Sequence, residues 1–184
     1  MKRNYTNILL AGGLILMATT ARIVNAEMAL YNFAPVAALG LFSGAIVKDK
    51  RYAFLFAILA QLCGDIYFQL FTETPGFYGI SQIFTYIGLV AVTALGFAMK
   101  QSKGLSIFGF TLAASVIFFI VSNFGHFAHG WNGYSGSGLV KTYVDALPFF
   151  KNSLIGDMAG SIILFGAYYL LQMSLSAKMI KTKA

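Results

Sequence analysis

Six apolar stretches, separated by short polar breaks, divide the chain. They cover Asn7–Ile23, Phe33–Val47, Tyr52–Phe71, Ile80–Met99, Leu105–Phe124 and Phe149–Leu175. A helix rises about 1.5 Å per residue, so stretches of about 20 residues match a hydrocarbon core of ~30 Å. The pattern predicts an all-α, integral membrane bundle of six helices, folded as a single transmembrane domain over residues 1–184. The second stretch is shorter, and Pro35 suits the first turn of its helix.

Composition supports this fold class, and the placement of charge supplies an orientation. Of the residues, 58% are hydrophobic and 10% are charged, whereas a soluble domain carries roughly 25% charged residues. We counted the Lys and Arg residues on each side of the predicted membrane. Ten lie on the side of the two termini, and three lie on the opposite side. The positive-inside rule therefore predicts a multi-pass protein of the bacterial inner membrane with both termini cytoplasmic. The net charge of +7 is explained by topology, so we expect the lipid bilayer and no nucleic acid as a partner.

The N-terminal residues allow a second interpretation. Lys2 and Arg3 precede an apolar run, as in a secretory signal peptide. We expect this run to be retained as the first transmembrane helix.

Two apolar stretches carry an acid within a polar stripe at four-residue spacing. The stripes are Gln61, Asp65 and Gln69 in the third stretch, and Ser153, Asp157 and Ser161 in the sixth. Measured along each helix, Asp65 lies ~20 Å from the cytoplasmic side and Asp157 ~14 Å below the outer side. We therefore expect the two acids at nearly the same depth. Lipid-facing carboxylates are strongly disfavoured, so both stripes should face the bundle interior.

Arg22 is the only cation in an apolar stretch that is able to reach either acid. One interpretation is a polar pocket that opens outward and is surrounded by Arg22, Asp65 and Asp157. The alternative is an Arg–Asp pair that only fixes helix packing, while the other acid is protonated or bonded to hydroxyl groups. Charged residues inside a membrane favour the first interpretation.

The stretch Gly125–Leu147 predicts a long outer loop that contains both histidines. His126 and His129 are three residues apart and could bind Zn²⁺, Cu²⁺ or Ni²⁺. Two ligands are too few to assign a metal, so solvated histidines among interfacial aromatic residues are the favoured interpretation. We expect no cofactor. No pairing of a nucleophile with a base emerges from the sequence, which argues against an enzyme.

Small residues recur at four-residue spacing in two stretches. The pairs are Gly40 with Gly44 and Gly156 with Gly160. Such spacing allows the backbones of two helices to approach closely.

Several of these residues together resemble a known pattern. They are Arg22, Asn32–Pro35, Ala37–Ala45, Asp65, Ser122–Gly125, Pro148–Phe150 and Gly156–Asp157. The pattern resembles an uncharacterised bacterial family of six-helix membrane proteins, which is similar to the substrate-binding S components of energy-coupling factor (ECF) vitamin transporters. The resemblance implies a ligand site in the outer half of the bundle and a membrane-embedded coupling partner. The Ala-x-x-x-Ala motif that such a partner uses is absent from the first helix.

The sequence leads to the hypothesis of a membrane protein that binds a vitamin-like or other small molecule and helps to take it up. The expected ligand-binding residues are Arg22, Asn32, Asp65, Asn123, Trp131, Tyr134, Phe150 and Asp157. Arg22 would anchor an anionic group, and the aromatic residues would supply stacking area. Two alternatives stay open: an accessory or structural subunit of a larger membrane complex without its own ligand, and a metal-ion permease that uses the two histidines.

Overall fold

The computed structural model describes residues 9, 12, 13, 15–17, 19–24, 35–100 and 104–181, with side chains up to residue 175. Its helices are α1 (Ile15–Val24), α2 (Val36–Ile46), α3 (Lys50–Phe71), α4 (Ile80–Phe97), α5 (Gly104–Ala128) and α6 (Gly136–Lys181). No strand occurs in the described ranges. Helices α3 to α6 are long and apolar enough to cross a membrane. The predicted all-α, multi-pass membrane fold is confirmed at this level.

The two ends of the bundle differ in chemistry. We call the end that carries Lys48–Arg51 and Lys100 the basic end, and the opposite end, with His126 and His129, the histidine end. Helices α3 and α5 run from the basic end to the histidine end, whereas α4 and α6 run back. Helices α5 and α6 form an antiparallel pair.

Helix α2 lies at the centre of the bundle and crosses only part of it. Every residue from Ala37 to Gly44 is buried, and α2 contacts α3, α4, α5 and α6. Its C-terminal part packs beside Gly96, near the basic end of α4. Eleven residues span only ~17 Å, about half of a membrane. The N-terminus of α2 at Pro35 therefore lies in the middle of the bundle.

Glycines allow α2 to lie directly against α4. A Cβ atom on Gly44 would come 2.0 Å from the carbonyl oxygen of Thr93, and one on Gly96 would come 2.6 Å from that of Leu41. A Cβ on Gly40 would approach the Leu89 side chain to 2.9 Å. This close contact of two backbones is the arrangement that the Gly40 and Gly44 spacing predicts.

The last third of the chain differs from the prediction. The expected long loop Gly125–Leu147 is mostly helical, because α5 continues to Ala128 and α6 begins at Gly136. Only the α5–α6 turn (residues 129–135) is left between them, and Gly130 and Gly133 adopt positive φ angles there. These angles are readily available to glycine alone.

Contacts with α5 explain why this segment is a helix. The Tyr143 hydroxyl donates to the carbonyl oxygen of Ile120 at 2.8 Å, and the Phe119 ring lies 5.9 Å from the Tyr143 ring. Pro148, which directly precedes the sixth apolar stretch, lies inside α6. A proline removes one backbone donor, but membrane helices tolerate it where neighbouring groups compensate.

Replacing Gly44 with alanine should destabilise the protein, because the added methyl group would overlap the Thr93 carbonyl, a backbone atom that cannot rotate away. Overpacking of this kind costs about 1–3 kcal/mol or more. Gly109→Ala is the matched control, since no atom lies within 4 Å of the added Cβ. Thermal unfolding of the purified variants measures the difference. Equal unfolding temperatures for the two variants would contradict the described contact between α2 and α4.

Candidate functional site

Asp65 is the centre of a buried polar cluster near the histidine end. It lies on the inner face of α3, and only 1% of its surface is exposed. Its Oδ1 accepts hydrogen bonds from Arg22 Nη2 and Gln61 Nε2, each at 3.0 Å. Its Oδ2 accepts from Gln82 Nε2 at 3.0 Å and from the Tyr86 hydroxyl at 2.9 Å. We call these five residues the Asp65 cluster, which joins α1, α3 and α4.

Arg22 lies flat against α3. Its Nη1 donates to the Gln61 carbonyl oxygen at 3.3 Å, and its guanidinium carbon lies 5.1 Å from the centre of the Phe68 ring. A cation over an aromatic face is favourable, especially when it is desolvated. The position depends on Gly64, because a Cβ atom there would come 2.1 Å from Arg22 Nη1. Arg22 therefore forms an ion pair with Asp65, one of the two acids that the sequence analysis left open as its partner.

The α3–α4 turn (residues 72–79) closes the histidine end of this cluster. The Gln82 amide donates a second hydrogen bond to the carbonyl oxygen of Gly76 at 3.1 Å. A Cβ atom on Gly76 would lie 1.8 Å from the Asp65 carbonyl oxygen, so only glycine fits. Tyr78 donates to the Thr85 hydroxyl at 3.1 Å, and burial raises the pKa of its phenol, which favours the protonated donor.

Asp157 belongs to a separate polar cluster. Its Oδ1 accepts from the backbone N–H groups of Ala37 and Ala38 at 3.0 and 3.1 Å. Its Oδ2 accepts from the Ser115 hydroxyl at 2.8 Å. The first N–H groups of a helix have no partner within the helix, so Asp157 on α6 acts as the N-terminal cap of α2. We call these four residues the Asp157 cluster, which joins α2, α5 and α6.

The two acids lie at different levels, contrary to the expectation of a shared depth. Asp157 contacts Ser115, in the middle of α5, whereas Ser81, at the start of α4 near the Asp65 cluster, donates to Gly125. Ser115 and Gly125 are separated by ~15 Å along α5. Asp65 therefore lies nearer the histidine end than Asp157 does. The expected depth of Asp157 was counted from a helix start that lies inside α6.

Three other predicted ligand-binding residues lie in the α5–α6 region, away from Asp65. The side chain of Asn123 donates to the Phe119 carbonyl in its own helix at 2.8 Å, and the Phe150 ring packs 4.5 Å from the Phe119 ring. Trp131 is 73% exposed. The described contacts do not bring these side chains to the Arg22–Asp65 pair.

Tyr134 and Asn32 complete the predicted set. Tyr134 is exposed in the α5–α6 turn, where its ring packs 6.3 Å from that of Phe127. Asn32 lies outside the described residues. Ligand binding by either residue stays a prediction.

Sequence reasoning missed Gln82, Tyr86 and Ser115. Each is an uncharged polar residue on a mostly apolar helix, which is common and carries little weight alone. A usable signal existed for the first two, because Gln82 and Tyr86 are four residues apart and share a helix face. They also lie near the same end of the bundle as Asp65, so their face could have been matched to that acid.

The histidines lie at the end of α5. His126 is in the last turn, with its ring 5.9 Å from that of Trp131, and His129 follows the helix. Within the described part of the chain, no group of three or more His, Cys, Asp or Glu side chains is placed to hold a metal ion. Metal binding by the two histidines stays a prediction.

A small interior cavity separates Arg22 from the start of α2. Its volume is about 10 Å³, close to the space that one water molecule requires. Its lining consists of Thr19, Arg22, Pro35, Val36, Leu39, Ala60, Gln61 and Leu89. Arg22 and the positive end of the α2 dipole thus border one space.

The fold and its two buried polar clusters define a multi-pass, all-α membrane protein. The chain belongs to a family of unknown function (DUF6580), whose match covers residues 2–179. No curated protein and no solved structure matches the chain. The match spans nearly all of the described structure and carries no activity with it, so the function rests on the geometry of the site.

Removing Asp65 alone should destabilise the protein strongly. Asp65→Leu leaves the Arg22 charge without its partner, which costs about 3–5 kcal/mol in a buried pair. The double variant Arg22→Met/Asp65→Leu should recover part of this loss, because no unpaired charge is left. A double-mutant cycle of unfolding free energies measures the coupling. Simple additivity of the two single effects would contradict the ion pair.

Asp157→Ala should also lower stability, because it leaves the Ala37 and Ala38 N–H groups without an acceptor. Each unsatisfied buried donor costs about 1–3 kcal/mol. Asp157→Asn should lose less, since its amide oxygen is still able to accept. Ser153→Ala, one turn away, is the control, because the Ser153 hydroxyl donates to the Phe149 carbonyl of its own helix. Thermal unfolding of the purified variants measures the difference. If Ser153→Ala lowered the unfolding temperature as much as Asp157→Ala, the capping role would be refuted.

Proposed function

We propose that the protein is a membrane-embedded binding protein for a small anionic molecule and takes part in its uptake. One observation carries the proposal: Arg22 and the N-terminus of α2 line the same cavity. Helices that begin inside a membrane present a positive dipole end to anionic ligands in transporters. Asp157 already binds two N–H groups of α2, so Arg22 would supply the main charge for the ligand. Charged residues within the membrane are otherwise disfavoured and usually functional.

The hydrogen bonds of Asp65 suggest how Arg22 would become available. Asp65 accepts from three neutral donors in addition to Arg22. When the arginine turns to a ligand, the carboxylate therefore keeps most of its hydrogen bonds. The cavity has room for about one water, so a larger ligand requires α1 to move away from α3. A ligand carboxylate or phosphate would then replace Asp65 as the partner of Arg22.

The finer assignments are part of the same proposal. The basic residues favour an inner-membrane orientation with the basic end and both termini in the cytoplasm. In that orientation the Asp65 cluster lies in the outer half, as expected for a site that receives its ligand from outside. The resemblance to S components supports a vitamin-like ligand and a membrane-embedded coupling partner.

The second candidate is an accessory subunit of a larger membrane complex without its own ligand. A specific observation favours it: every fully buried side-chain nitrogen or oxygen among the described residues already has a hydrogen-bond partner. The Asp65 and Asp157 clusters would then serve only to fix helix packing. This candidate predicts a co-purifying membrane protein and no small molecule.

Native mass spectrometry of the purified protein separates the two candidates. We expect the wild type to retain a small anionic molecule. The variant Arg22→Gln/Asp65→Asn removes the interior ion pair while keeping polar side chains at both positions. The amount of this molecule that it retains should fall by at least about tenfold. The matched control is Lys141→Gln/Asp145→Asn, because Lys141 and Asp145 form an exposed ion pair. The proposal would be contradicted if both double variants retained the small molecule equally. It would also be contradicted if the wild type co-purified with another membrane protein and with no small molecule.

A further inference from the structure

A second, larger cavity opens on the outside of the bundle between α3 and α4. It has a volume of about 510 Å³ and is a groove lined mainly by apolar side chains. Its lining includes Phe77, Ile83, Ile87 and Val90, with Gln82 and Tyr86 among them. The apolar side chains are exposed, and both helices are long and apolar enough to cross a membrane, so the groove faces lipid.

One polar side chain of the groove, Gln82, has unused hydrogen-bonding capacity. Gln82 is only 9% exposed, and its Nε2 already donates to Asp65 and to Gly76. No described residue donates to its Oε1. Since every fully enclosed side-chain oxygen among the described residues has a partner, this oxygen is not fully enclosed, and Gln82 lines the groove. An amide oxygen that faces hydrocarbon without a donor is unfavourable, so an occupant with a donor is stabilised there.

The groove is oriented like a lipid in one leaflet. Phe77 and Gln82 lie at the histidine end of α4, where the bundle meets the membrane surface. Ile83, Ile87 and Val90 continue from there toward the middle of the span. From the start of α4 to Val90 the helix rises ~15 Å, which is half of a hydrocarbon core. The groove thus offers a polar contact near the membrane surface and, below it, an apolar surface about as long as one leaflet is thick.

We propose that this groove binds a single-chain, hydroxyl-bearing amphiphile from the surrounding leaflet. Its hydroxyl group donates to Gln82 Oε1, and its alkyl chain lies along Ile83, Ile87 and Val90. The site is distinct from the cavity beside Arg22. Gln82 and Tyr86 contact Oδ2 of Asp65, whereas Arg22 contacts Oδ1. The inference therefore does not depend on the function proposed for that cavity.

Photo-crosslinking of the purified protein in lipid nanodiscs tests the proposal. The probe is a long-chain alcohol with a diazirine in its alkyl chain, and mass spectrometry of peptides locates the label. We expect labelling at α3 and α4 around the groove. Competition by 1-hexadecanol should be about threefold or more stronger than by its methyl ether, which lacks the donor. Equal competition by both, or even labelling of all lipid-facing helices, would overturn the proposal.

Matched tryptophan variants test the location. Val90→Trp fills the groove and should abolish most of the labelling. Val116→Trp on α5 is the control, since the two valines are almost equally exposed at 39% and 37%. Ile87→Trp provides a second groove variant in case the first one does not fold. Labelling that persists in a folded groove variant, or a wild type that crosslinks to a second copy through the groove, would refute the proposal.

Discussion

A helix that begins in the middle of a membrane protein needs an acceptor for its first N–H groups, and α2 depends on Asp157 for it. Bulk water does not solvate backbone groups inside the hydrocarbon core, so another helix supplies the acceptor. Asp157 binds two of these N–H groups and is itself bound by Ser115. The central position of α2, and with it the packing of the helices around it, requires this one carboxylate.

The two buried acids divide the bundle between them. The Asp65 cluster joins α1, α3 and α4, while the Asp157 cluster joins α2, α5 and α6. The Gly44–Gly96 contact between α2 and α4 links the two halves through close backbone packing. In a membrane, apolar side chains gain little free energy by exchanging contact with lipid for contact with another helix. Polar hydrogen bonds and close packing therefore specify the arrangement of the helices. Each of the six helices takes part in one of these two clusters.

Much of this fold could be predicted from the sequence, because apolar length is a direct signal in membrane proteins. Helix α3 was expected from Tyr52 and begins at Lys50, and α4 begins at Ile80 as expected. The extent of α6 was not predicted, because the polar residues before Pro148 suggested a loop. Their helical state depends on contacts with α5, which sequence periodicity does not reveal.

The candidate site was predictable only in part. The pairing of Arg22 with an acid followed from the scarcity of charge in the apolar stretches. Choosing between Asp65 and Asp157 required the depth of each acid in the membrane. Depth was misjudged for Asp157, because it was counted from a helix start that lies within α6. The capping of α2 was also invisible in the sequence, since it joins residues about 120 positions apart.

The contact between Gly64 and Arg22 ties two distant positions of the chain together. The guanidinium occupies the place where any other side chain at position 64 would begin. A larger residue there would expel the arginine from α3 and leave Asp65 without its counter-charge. Across the family, residues 22 and 64 are therefore expected to covary, with glycine retained wherever arginine is present. A sequence that breaks this correlation would have to hold its first helix in a different register.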